Sequence, residues 1–356
     1  MFCRQQAELS RAAAGGHSRG VRLLVLGGTE FVGTAVVEAA LGRGWDVTVF
    51  NRGSHPAPSG VTVLRGDRTA PGGLAALAGA AGEWDVAVDT WSWAPVAVRD
   101  AAWLLAGRAG CLAFVSSRSV YAFPGVAGAA EDGPLVDGDP DDAVDGGLAG
   151  YNRMKRGGEL AALGAFGAER TLLARPGLIL GPGENIGRLP WWLNRVARGG
   201  RVLAPGPADL PTRFIDVRDL AGWLLDTAAA GGRGAYDVVC PPGHTTMAGL
   251  LEACVAATGS DAELVWTGPE AILAAGVRPW TGLPIWLPPG EMYDYVNGID
   301  VTRALGAGLR ARPVADTAAD TWAWLRGLDG PPPQRPDRAP VGIDRAVEAA
   351  LLGLPG

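Results

Sequence analysis

From Val21 onward the apolar residues fall into short continuous runs separated by glycine-bearing turns, and between those runs they switch to a helical spacing. Val21 to Leu26 is an apolar run, Phe31 to Leu41 has the period of a helix, and Asp46 to Phe50 is again β-rich, which predicts a β-α-β unit. Further strands are predicted at Val61 to Leu64, Val86 to Asp89, Cys111 to Ser116 and Thr171 to Ala174, with helices around 72–81, 95–106 and 151–166 between them. Such alternation implies an α/β protein with a parallel sheet wrapped by helices on both faces.

Beyond this region the pattern loosens. Residues 127–150 are rich in glycine and acid, with Glu131, Asp132, Asp137, Asp139, Asp141, Asp142 and Asp145, and read as a solvated loop. The other reading is an acidic lid, which would favour a cationic or neutral substrate over a phosphorylated one. After Gly181-Pro182-Gly183, Trp191-Trp192 head an amphipathic segment and Arg213 to Val217 return as a strand, so 181–328 is expected to be mainly a smaller mixed substrate lobe. The apolar, Pro-rich stretch from Trp280 to Pro289, with Trp286, is read as packing rather than cleft lining. Residues 329–340 read as a Pro/Asp/Arg linker before a short helix from Ile343 to Leu352, and residues 1–20 as a disordered lead-in.

Composition narrows the class. With 356 residues, 48% of them apolar, the chain can bury one large or two modest cores, and 54 Gly and 27 Pro suit many tight connections. A net charge of −6 with scattered cations argues against a nucleic-acid partner. Cys3, Cys111, Cys240 and Cys254, and His17, His55 and His244, lack metal-ligand spacing, so no metal is expected and the thiols are expected to be free in a reducing cytoplasm. No apolar run is long enough for a membrane span. The expected partner is a small-molecule substrate, with a homodimer possible.

Candidate chemistry begins at the first turn, Gly27-Gly28-Thr29-Glu30-Phe31-Val32-Gly33, lying directly between a strand and a helix. Glycines there permit a tight turn and close helix packing, and the helix N-terminus suits a pyrophosphate. Eighteen residues past Gly33 the second strand ends in Asn51-Arg52-Gly53, where an NAD site would usually carry an acid. A cation in its place suits the 2′-phosphate, so NADP(H) is favoured and NAD(H) is the alternative. Of 31 basic side chains, 30 are arginine; the one lysine, Lys155, stands a single helical turn after Tyr151. A position that keeps lysine in such a chain needs a compact ammonium. Beside it, Tyr151 is expected to have a lowered pKa and to act as general acid/base.

Together with Ser116-Ser117 at the end of a later strand, these motifs resemble the extended short-chain dehydrogenase/reductase family, which includes the NAD-dependent epimerases and dehydratases. The resemblance runs from about Val21 to Gly327. It is nearest to the branch reading Gly-Gly-Thr-x-Phe-x-Gly, which holds bacterial reductase-like proteins and the chloroplast stem-loop-binding proteins. It implies a Rossmann fold whose dinucleotide-binding domain spans 21–180, and a catalytic set of Ser117, Tyr151 and Lys155. Gly27, Thr29, Glu30, Phe31, Val32, Gly33, Asn51, Arg52 and Lys155 are expected at the cofactor. By the same resemblance Asp67 lies by the adenine, the backbone from Asp89 through Thr90 to Trp91 runs along the ribose and Pro176 is also at the cofactor, while Ser116 assists Ser117.

Departures from the family's pattern limit the chemistry. Glu30 replaces its second motif glycine and is expected to turn away or cap the following helix. Arg118 and Ser119 replace the acidic pair of the 4,6-dehydratases, which disfavours dehydration of that type. Leu178 replaces the asparagine common in sugar-nucleotide members, which disfavours such substrates. The expectation is therefore an oxidoreductase that interconverts a ketone and a secondary alcohol. Two alternatives stay open: an epimerase acting by transient oxidation, and a non-catalytic dinucleotide- or RNA-binding scaffold.

Overall fold

A computed structural model describes residues 20–125, 128–144, 147 and 150–354. The expected lead-in over 1–19, with Cys3 and His17, and Asp145 of the acidic stretch lie outside the described residues.

Seven parallel strands form the central sheet: β1 (Arg22–Leu26), β2 (Asp46–Asn51), β3 (Thr62–Arg65), β4 (Trp84–Asp89), β5 (Ala109–Val115), β6 (Thr171–Pro176) and β7 (Gly234–Val238), in the order β7-β6-β5-β4-β1-β2-β3. Strands β1 and β5 hold continuous apolar runs and β6 is buried throughout because both faces are covered, whereas the edge strand β3 is largely exposed. On one face, α1 (Phe31–Leu41) packs with a helix at Val217–Ala229 through Val36, Val37, Leu220 and Leu224. The other face carries α2 (Ala75–Gly79), α3 (Pro95–Leu105) and α4 (Tyr151–Phe166) over Leu24, Leu112 and Phe114.

A second hydrophobic core lies around α5 (Arg188–Val196), α6 (Met247–Thr258) and α7 (Val314–Arg326), with Trp192 and Trp286 fully buried and the C-terminal helix α8 (Arg345–Leu351) packed on it. Trp286 is core, as its apolar surroundings predict, and its indole N–H donates to Gly206 O. The strand expected at Arg213 to Val217 is reduced to Ile215–Asp216, because the Asp216 carboxylate accepts from Arg218 N and starts a helix at Val217.

The strand order reverses between β1 and β4, and the crevice outside the carboxyl ends of these strands is where such a sheet receives ligands. Among the described residues no helix is long and apolar enough to cross a membrane, and no cluster of side chains has the makings of a metal centre.

Candidate active site

A cavity of about 1290 Å³ opens along that crevice, and almost every predicted site residue faces it. At one end is the turn from β1 to α1. Gly27 and Gly28 have φ of +119° and +90°, and a Cβ on Gly33 would stand 2.7 Å from the Gly28 nitrogen. Only glycines permit this approach, which brings the N-terminus of α1 onto the crevice. Thr29, Glu30, Phe31 and Val32 line the same end.

Glu30 stands at the N-cap of α1 with extended backbone, yet its side chain makes no capping bond. Its carboxylate reaches across the crevice instead, accepting from Asn185 Nδ2 at 3.3 Å and lying 3.6 Å from His55 Nε2. Of the two expectations for Glu30, turning away or capping α1, the cap is not made.

Asn51 and Arg52 end β2 at the cavity. Asn51 binds back to Gly53 N, while Arg52 is exposed, with no carboxylate at ion-pair distance among the described residues. Asp67 also lines the cavity; two bonds from Thr69 hold its pKa below the usual carboxylate range. Thr90 and Pro176 line it as well, but the side chain of Asp89 does not. It is 1% exposed, paired in bidentate fashion with Arg68 at 2.8 and 2.9 Å, and accepts from Trp91 N. The Asp89 side chain is thus a strut that shapes the loop after β4, of which Thr90 and Trp91 line the cavity.

The far end gathers Ser117, Tyr151 and Lys155. Ser117 follows β5 and caps a short turn over Arg118–Val120, where its hydroxyl accepts from Ser119 N at 3.1 Å. Tyr151 is the first residue of α4 and hydrogen-bonds to Ser117. One turn on, Lys155 is 2% exposed; its ammonium donates to Val115 O at 2.6 Å and Trp91 O at 2.5 Å, and lies 5.0 Å from the centre of the Phe114 ring. This placement depends on Gly157 and Gly158. A Cβ on Gly158 would lie 2.6 Å from Phe114 Cζ, and one on Gly157 2.5 Å from Asp139 O, so the two glycines let α4 sit close enough for Lys155 to reach the end of β5. Ser116 is also buried at the cavity, and its hydroxyl has no hydrogen-bond partner among the described residues.

The electrostatics differ from expectation. Burial raises the Tyr151 pKa above its ordinary 10, against the Ser117 hydrogen bond and the charges of Arg338, Arg335 and Arg188. Burial also lowers Lys155 to about 7. The predicted depression of Tyr151 by Lys155 is therefore absent: desolvation outweighs it, the ammonium is spent on two carbonyls, and the opposing cations are arginines.

These three arginines were not singled out in the sequence, although the segment bearing two of them was read as a linker. Residues 331–341 instead cross the cavity as a strap, tied by Arg335 N to Asn185 O at 2.9 Å and, just beyond, by Gly342 N to Thr281 O at 2.8 Å. Arg335 lies over the ring of Trp93 at 5.2 Å and Arg338 over that of Tyr151 at 5.3 Å. Trp280, read as packing, in fact lines the cavity beneath Arg188. From the acidic stretch Ala143 and Gly147 line it, while Asp141 pairs outward with Arg99, in keeping with a solvated loop.

A second group missed by the sequence reading is a buried network behind Ser117. Arg175 at the end of β6 grips Glu159 of α4 through two bonds of 2.8 and 3.0 Å and donates to Tyr121 Oη at 2.9 Å. Tyr121 in turn donates to Asp237 of β7, which Arg118 pairs at 2.8 Å. Burial raises Asp237 to about 6 despite that arginine. The network ties the helix that carries Tyr151 and Lys155 to two strands.

The model of the NAD-dependent epimerase/dehydratase family matches residues 23–237, which is more than half of the chain and spans every one of these site residues except the strap and Trp280. The chain belongs to the NAD-dependent epimerase/dehydratase family. Solved structures similar to this family member include a putative epimerase from Burkholderia cenocepacia J2315, at 21% identity over 87% of this chain and 100% of that one, with a TM-score of 0.63. WbmG of Bordetella bronchiseptica, in complex with NAD and UDP, matches at 18% identity over 86% of this chain and 95% of its own, with a TM-score of 0.60. The UDP-glucose 4-epimerase of Thermus thermophilus, in complex with NAD, matches at 20% identity over 86% and 100%, with a TM-score of 0.58. No curated protein shows significant similarity to the chain.

Proposed function

We propose that this family member is an NADP(H)-preferring oxidoreductase that interconverts a secondary alcohol and a ketone on a small metabolite. The observation that carries the reading is the convergence of Tyr151, Ser117 and Lys155 in the cavity that the Gly27–Gly33 turn also enters. The residues suit a dinucleotide on three counts. The glycine turn brings the N-terminus of α1 to the crevice, the Ser116 hydroxyl is buried without a hydrogen-bond partner among the described residues, and Lys155 has a third ammonium hydrogen beyond its two carbonyls. Exposed Arg52 at the end of β2, where an acid would bind a ribose 2′-hydroxyl, supports the phosphorylated cofactor.

When bound, the nicotinamide supplies the hydride acceptor or donor. Burial keeps the Tyr151 phenol protonated at neutral pH, so it is poised to give a proton to the substrate oxygen in the direction of reduction. Ser117 bonds the same oxygen, and Lys155 takes a ribose hydroxyl with its remaining hydrogen. The buried free thiols Cys111, Cys240 and Cys254 support a reducing cytoplasmic setting. Tyr151→Phe keeps the ring and loses the proton; on a panel of ketones with NADPH it should cut turnover by about 10² to 10⁴ while nucleotide affinity stays. Unchanged turnover would remove Tyr151 from the chemistry.

A second reading, epimerisation by transient oxidation, draws on the strap across the cavity, which would help retain a resident nucleotide. Nucleotide released from freshly purified protein by heat denaturation would favour it; protein free of nucleotide favours the reductase.

A further inference from the structure

Around Tyr151 the cavity holds a surplus of positive charge. Arg188 is half-buried, lies 5.5 Å over the Trp280 ring, and has no carboxylate at ion-pair distance among the described residues. Arg335 and Arg338 line the cavity from the strap, with side chains 22% and 20% exposed, whereas Pro333 and Pro340 are exposed and lie outside its lining. One carboxylate, Asp337, itself in the cavity wall, serves both strap arginines: it takes Arg335 in bidentate fashion at 2.9 and 3.0 Å and lies 3.5 Å from Arg338. Glu184, fully buried, takes the backbone N–H groups of Arg188 and Leu189, and its carboxylate favours the charged Arg188 against burial.

The three guanidiniums thus share two carboxylates, Asp337 and the buried Glu184, and the buried Arg338 Nε makes no hydrogen bond among the described residues, its contact being the 3.5 Å ion pair with Asp337. Arg338 and Arg335 add to the burial that lowers Arg188, and Arg335 adds to the burial that lowers Arg338, while Glu184 and Asp337 act the other way on Arg188 and Arg338 respectively. Half-desolvated cations in one wall of a cavity leave unspent donors aimed at whatever enters, and a planar guanidinium matches an oxyanion in bidentate geometry. The aromatic rings beneath them fix their planes.

We propose that the C-terminal strap, through Arg335 and Arg338, joins Arg188 to form an oxyanion subsite beside Tyr151, and that the substrate carries a carboxylate or phosphate next to its reacting carbon. The assignment rests on the hydride-transfer reading for the words "reacting carbon" but not for the subsite itself. It reverses the selection an acidic lid would impose.

The test is calorimetric titration with malonate, inorganic phosphate and neutral malonamide, on nucleotide-free protein and on protein saturated with NADPH. Saturation fills the glycine-turn end, so anion binding that survives it reads the subsite. Saturable binding of malonate or phosphate is expected, with none of malonamide. Arg338→Gln and Arg335→Gln should each weaken it about tenfold or more, as loss of charge-assisted hydrogen bonds requires, and leave NADPH affinity unchanged. Tighter malonate marks a carboxylate substrate and tighter phosphate a phosphate ester. Absence of saturable anion binding, or equal binding by wild type and both variants, overturns the subsite. A protein that binds no nucleotide sinks the hydride-transfer reading alone, since the comparison of variants on nucleotide-free protein still decides the subsite.

Discussion

Burial of the lone lysine should appear in the stability of the protein as a function of pH. In Lys155→Met the stem keeps its packing on Phe114 but the titrating group is gone. Wild-type Lys155 falls from 10.5 to about 7 in the folded chain, which amounts to roughly 5 kcal/mol of penalty on the buried ammonium. Below pH 7 both the folded and unfolded chains hold the proton, and the folded state carries that penalty in full. Between pH 7 and 10.5 the unfolded chain holds the proton while the folded chain has released it, so wild-type stability rises with pH by about 1.4 kcal/mol per unit. The variant lacks this contribution. It also leaves Trp91 O and Val115 O without their donor, a cost that does not change with pH. Urea unfolding of nucleotide-free wild type and variant at pH 6, 8 and 10 separates the two effects. The wild-type-minus-variant difference should climb by several kcal/mol from pH 6 to pH 10; a constant difference would mean that Lys155 keeps its ordinary pKa and that desolvation does not govern the site.

Two further substitutions probe how the helix bearing Tyr151 is held. Gly158→Ala puts a methyl 2.6 Å from the Phe114 ring, and should cost about 1–3 kcal/mol in urea unfolding and weaken nucleotide binding by moving Lys155 off the end of β5; unchanged stability and binding would show that the close approach is dispensable. Arg175→Met removes the bidentate partner of buried Glu159, which keeps Arg156 at 2.9 Å, and should cost about 2–4 kcal/mol, read by the same unfolding experiment, with a loss below about 1 kcal/mol counting against the network as the anchor of α4.

The sheet was largely legible because its strands are buried on both faces and so leave continuous apolar runs, as in Leu23 to Leu26 and Leu112 to Val115. β7 was not, because Gly-Ala-Tyr-Asp-Val interrupts its apolar run with Asp237, whose partners Tyr121 and Arg118 are more than a hundred residues away. Tyr151 and Lys155 could be found from one helical turn of spacing and the scarcity of lysine. Their electrostatics could not, since burial is a property of the packed cavity. Gly157-Gly158 was a readable signal for close helix packing that the eye passes over inside a helix. The strap shows the strongest limit: Pro, Asp and Arg are the composition of a solvated linker, and only the fold reveals that Arg335 and Arg338 end on Trp93 and Tyr151.

The central claim, that this cavity binds a nicotinamide dinucleotide for hydride transfer, is tested most directly by titrating the purified protein with NADPH and with NADH and following nicotinamide fluorescence. The account predicts saturable binding of both, tighter for NADPH, with the preference reduced in Arg52→Ala. Absence of binding by either nucleotide, to protein also free of copurified nucleotide, would contradict it.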